Sequence, residues 1–78
     1  MADTHAHYLR DLGYLLREAG EAAKRDAASA AESDRKYQRG RVMAYYEVLS
    51  LMEQQAVAFD LPLQELSLDG LDPERDLL

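Results

Sequence analysis

The stretch Arg41–Phe59, RVMAYYEVLSLMEQQAVAF, constrains the chain most. It is the most apolar run, and no helix breaker interrupts it after Gly40. Tyr45, Val48, Met52, Gln55 and Phe59 recur at three- and four-residue spacing, which places them on one face of a helix. Ala44, Leu51 and Ala58 flank that face on one side, and Val42, Leu49 and Ala56 on the other. The apolar stripe is therefore wider than one neighbouring helix can cover, and the rest of the chain must supply partners for it.

The preceding segment is the first such partner. Asp3 or Thr4 can cap a helix, because a short side-chain oxygen there accepts from a free backbone N–H. A helix over about 4–31 follows, with Leu9, Leu12, Leu16, Ala19, Ala23 and Ala30 as its seam and Asp26 as the misfit. Tyr8, Leu15 and Ala22 widen that seam on one side. On the other side Ala6, Gly13, Gly20 and Ala27 recur every seven residues. A glycine inside a helix costs about 1 kcal/mol relative to alanine, so two on one stripe predict close packing. The segment AAESDRK holds the turn at about 32–33, with Ser33 or Asp34 as N-cap of a second helix over about 34–59. A continuous helix from 4 to 59 is the competing reading, and the polar Ser33-Asp34 pair stands against it.

A turn near Glu32 and Ser33 makes facing residues sum to about 65, so Gly13 meets Met52, Gly20 meets Tyr45, and Ala6 meets Phe59. The expected helix–helix packing residues are thus Gly13, Gly20, Tyr45, Val48, Met52 and Phe59. Beyond them lies a tail, residues 60–78, with short helical turns. Asp60 is a possible cap ahead of Pro62, Gly70 a break, and Asp72-Pro73 an N-cap followed by an N1 proline. Seven tail leucines are too many for a purely solvated segment, so part of the tail is expected to dock.

Seventy-eight residues allow one small domain, 1–78. There is no cysteine, so neither disulfides nor thiolate metal sites can staple it. The segment MADTHAHYLRDLG has no basic region leading into an apolar core, and no apolar run reaches the roughly 20 residues of a membrane span. The expectation is a soluble cytoplasmic protein without a membrane partner. The net charge of −6 argues against general binding to nucleic acid. It is unevenly placed: the tail carries six acidic residues against Arg75, whereas Arg35, Lys36, Arg39 and Arg41 against Asp34 make a basic patch.

Chemistry-bearing motifs are sparse. Asp3 and His7 at i, i+4 could share a metal, but a solvated terminus explains them better, and no Glu-x-x-His pair exists for a carboxylate-bridged metal bundle. Glu18 and Glu21 form a lone E-x-x-E of an exposed face. No phosphate loop and no nucleophile with a base is present. The expectation is no enzyme, no catalytic residue, no metal and no cofactor, with a metal-dependent bundle enzyme as the remote alternative. The candidate interaction patch is Arg35, Lys36, Tyr37, Arg39, Arg41, Tyr45 and Tyr46, since arginine interleaved with tyrosine suits phosphate and base contacts. The plainer reading makes the tyrosines core residues and pairs the arginines with carboxylates such as Asp26.

The fold expected is all-α: an antiparallel two-helix hairpin with a short helical tail, two copies pairing into a four-helix-bundle homodimer. Pairing would cover Val42, Leu49, Ala56 and the tail leucines. An antiparallel dimer would bring each acidic tail to the partner's basic turn. In shape alone the architecture resembles the helical-hairpin dimers of the plasmid RNA-binding Rop type, and no residue is carried over from them. The function expected is a small adaptor or regulator that binds itself and a further protein. A Rop-like regulator contacting nucleic acid through Arg35–Tyr46 is the alternative.

Overall fold

The structure, a computed structural model, describes residues 3–78; Met1 and Ala2 lie outside it. The regular elements of the described residues are all helical: α1 is Thr4–Ala28, α2 is Arg35–Ala58 and α3 is Pro73–Leu77. The two long helices form a hairpin within a rod of 50 × 22 × 16 Å. Asp3 caps α1, its Oδ1 accepting from the N–H groups of His5 (3.0 Å) and Ala6 (3.3 Å). The helix ends three residues before the expected boundary. Ser29 turns its hydroxyl back to the main-chain oxygen of Arg25 (3.2 Å), and Ala31 is extended. This is how serine competes with helix continuation. A 3-10 turn, Glu32–Asp34, then runs straight into α2. Asp34 stands at the N-cap position, but its backbone is helical and its side chain makes no capping bond, contrary to expectation.

α2 ends in a Schellman motif. The N–H of Leu61 donates to the carbonyl of Ala56 (2.8 Å) and that of Asp60 to Val57 (3.1 Å), with Asp60 left-handed at φ 57°. Asp60 therefore stops α2 and does not cap the next turn, and Pro62 precedes a 3-10 turn, Leu63–Leu66. The same motif recurs there. Ser67 is left-handed at φ 57°, and Leu68 N–H donates to Leu63 O (3.0 Å). These two reversals send the tail back over the hairpin, where it packs first on α1 and then, through α3, on both long helices. At α3 the Asp72 side chain accepts from Arg75 N–H (3.3 Å) and Pro73 sits in the first turn.

The core results from that path. Val42, Leu49 and Ala56 of α2 and Ala23 of α1 are buried together with Leu66, Leu68, Leu71 and Leu77 of the tail. The residues expected to need a second hairpin are thus covered by the chain's own tail. Polar groups of α1 hold it there. Arg17 Nη1 donates to the carbonyls of Ser67 (3.1 Å) and Asp69 (2.8 Å), Lys24 Nζ to that of Asp76 (2.7 Å), and Ser67 Oγ donates to the carbonyl of Arg10 (2.9 Å). The tail's acidic side chains make no ion pair with Arg35, Lys36, Arg39 or Arg41 among the described residues.

The end of the tail carries an acid-sensitive cap. Asp76 accepts from Arg75 Nε (2.8 Å) and Nη2 (3.0 Å) and from the Asp72 N–H (2.9 Å). Arg75 foremost, and then that backbone bond, hold its carboxyl down at about 2. A folded-state value below the ordinary one of about 3.9 stabilises above that value and is lost as pH falls through it. Melting temperature is therefore expected to fall between about pH 4 and pH 2, and to fall less in Asp76→Asn. Glu53 works oppositely: burial, and then the Asp72 charge, raise its carboxyl, so acidification favours its folded form. Thermal melts of both chains across this range check the difference; equal acid slopes would remove Asp76 as its source.

Candidate interaction surface

The basic–tyrosine patch does not hold together as one surface. Tyr45 and Tyr46 are half-buried against the core. Arg41 Nη1 is engaged by Gln38 Oε1 (2.7 Å) and by Asp26 Oδ2 (3.1 Å) across the hairpin. This leaves Arg35, Lys36, Tyr37 and Arg39 exposed on the first turns of α2.

The packing residues also divide. Gly13 and Gly20 are buried. At Gly20 a Cβ would lie 3.3 Å from Tyr45 Cβ, 3.3 Å from Leu49 Cδ1 and 3.6 Å from Leu77 Cδ2, so the hairpin brings Gly20 and Tyr45 together. At Gly13 it would collide with the carbonyl oxygen of Leu66, so the nearest neighbour is the tail rather than the expected Met52. Met52 is half-buried, whereas Val48 and Phe59 (72% exposed) lie at the surface. The buried column of α2 is the flank Val42, Leu49 and Ala56, because the tail lies on that side.

What remains is an open apolar face that the start of the tail borders through Leu61 and Leu66 without covering it. Leu9, Leu12 and Leu16 of α1 and Val48, Leu51, Met52 and Phe59 of α2 line one groove of about 430 Å³. Leu51 is 57% exposed, and Leu15, on the neighbouring column of α1, is 55% exposed. Only Gln55 among the lining residues is polar. Contiguous exposed apolar faces mark protein or membrane contact sites or ligand-binding grooves.

Three side chains that sequence reasoning passed over, Arg17 and Lys24 of α1 and Ser67 of the tail, tie the tail to α1. Arg17 and Lys24 each come four residues after a buried glycine, which puts a cation beside each close approach.

Chemistry is thin elsewhere. The Asp3 carboxylate caps α1 and lies 3.7 Å from His5 Nδ1, and His7 is exposed. No group of three metal-ligating side chains occurs among the described residues. A hydrogen bond to the Glu18 carboxylate, helped by its charge, raises the Tyr14 phenol, an interaction one turn apart on an exposed face. No described helix is long and apolar enough to cross a membrane. No family model, curated protein or solved structure matches the chain.

Proposed function

We propose that the protein is a small non-enzymatic helical interaction module, an adaptor or regulator, that works as a homodimer through the open face of its hairpin. The observation that carries this reading is the groove of Leu9, Leu12, Leu16, Val48, Leu51, Met52 and Phe59, which the tail borders through Leu61 and Leu66 but leaves open. Covering this apolar groove with a complementary surface removes it from water, which favours association. A second copy supplies such a surface by symmetry. The nucleic-acid reading retains only Arg35, Lys36, Tyr37 and Arg39, one exposed stretch of helix on a chain of net charge −6, and is the lesser one.

Light scattering on a sizing column should give twice the chain mass of 8.8 kDa at micromolar concentration. Leu51→Glu places a charge in the groove without touching the buried column, and should give a folded chain of single mass. A cooperatively melting monomer of the unaltered chain would overturn the proposal.

A further inference from the structure

The open face is graded along its length. Toward the end of the rod where α1 begins and α2 stops, it presents Leu9, Leu12, Leu15, Leu51 and Phe59. Toward the turn three of these columns hold alanine, while those of Leu9 and Phe59 continue with Leu16 and Met52. Ala19 and Ala22 come seven residues after Leu12 and Leu15 on α1, and Ala44 precedes Leu51 by seven on α2. Charge is graded as well. Residues 24–41, around the turn, carry six Lys and Arg against three Asp and Glu, a balance of +3 that Asp76 of the tail, beside Lys24, reduces to +2. At the other end, residues 3–14 and 53–66 carry Asp3, Asp11, Glu53, Asp60 and Glu65 against Arg10, a balance of −4.

We infer that a second copy of this chain seats on the open face antiparallel, the leucine end of each copy lying over the alanine end of the other. The inference rests on the self-association proposed above and adds its direction. Antiparallel overlap sets large residues against small ones along the Leu12, Leu15 and Leu51 columns of the seam, which is how packed layers fill space evenly. It also sets the basic turn of each copy beside the acidic end of the other. Parallel overlap stacks leucine on leucine at one end and alanine on alanine at the other. The two helix pairs would splay or leave a gap, and like charge would meet like charge at both ends. Exposed charges of this kind choose direction and encounter more than they supply affinity.

The chain lacks cysteine, so Ser33→Cys gives one spin label in the exposed turn of the full-length protein. Antiparallel copies should place the two labels roughly 35–50 Å apart, the span of a long helix or more. Parallel copies place them within roughly 10–20 Å, given helix-packing distances, and that result would overturn the inference while leaving the dimer standing. Loss of both together appears as a single chain mass by light scattering. A second variant reads the seam without a label. Ala44 is exposed in the single chain, so Ala44→Leu spares the fold. In the antiparallel dimer it overfills a position already facing a large residue, and dimer dissociation should rise by about tenfold or more. In a parallel dimer the added leucine fills an alanine–alanine gap, and tighter association would count against the antiparallel arrangement.

Discussion

Leu49→Ala is expected to lower the unfolding free energy by about 2–5 kcal/mol, the range for truncating a fully buried leucine. Leu49 is 0% exposed. Its Cδ1 lies against the Gly20 backbone, and Leu77 of the tail approaches the same glycine. Backbone forms one wall of this site, and the tail that closes another is held by Arg17 and Lys24. Collapse into the vacated volume is therefore limited, and the cost belongs in the upper part of the range. A domain of this size has a total stability of roughly 4–12 kcal/mol, so the loss is a large fraction of the whole. Urea denaturation at fixed protein concentration measures it. Leu51→Ala, two residues further along α2 and largely exposed, should shift the chain's own stability by less than about 0.5 kcal/mol. Its effect should appear instead in how melting depends on protein concentration. Equal costs at the two positions in protein dilute enough to be monomeric would mean that α2 does not face as described.

The pairing of the long helices was legible because two independent stripes agreed. The glycines at seven-residue spacing on α1 and the large residues at the same spacing on α2 point to one register, which holds at Gly20 against Tyr45 but not at Gly13, where Leu66 of the tail is nearest. The covered edge of α2 was not legible. Val42, Leu49 and Ala56 sit about 100° around the helix from Val48, and periodicity gives the direction of an apolar stripe without saying which flank is buried. The tail decides it, and the tail's path depends on Asp60 adopting a left-handed conformation to end α2. An aspartate ahead of Leu-Pro reads equally well as an N-cap for a new turn, so the sequence alone leaves the reversal open. The same path explains the candidate patch. Tyr45 and Tyr46 belong to the covered half of α2 and Arg41 to a cross-hairpin pair, while the stretch around Tyr37 lies beyond both. Asp72-Pro73 was legible because its signal is local: a cap oxygen followed by a residue that needs no N–H.

Gly13→Ala and Gly40→Ala are expected to act with opposite signs, although both glycines lie inside long helices. Alanine is favoured over glycine in a helix interior by about 1 kcal/mol. At Gly40 nothing lies within 4 Å of an added Cβ, so this gain should appear almost whole as a raised melting temperature. At Gly13 the added Cβ meets the Leu66 carbonyl oxygen and lies 2.8 Å from its carbon. These are backbone atoms at the end of a 3-10 turn, fixed by the Leu68-to-Leu63 bond (3.0 Å), and they cannot swing aside as a flexible side chain would. Relief requires the tail to lift from α1. Lifting it stretches the Ser67-to-Arg10 and Arg17-to-Ser67 hydrogen bonds, which span the same gap, and draws Leu66 and Leu68 from the core. Overpacking against a rigid wall costs about 1–3 kcal/mol. Each lost hydrogen bond adds about 1 kcal/mol, and the sum exceeds the helix-propensity gain. The net expectation is a destabilisation of about 2–4 kcal/mol for Gly13→Ala, with faster amide exchange concentrated in residues 63–77 because those are the ones displaced. Stabilisation of Gly13→Ala to the level of Gly40→Ala, with tail exchange unchanged, would show that the tail does not rest on α1 at this point.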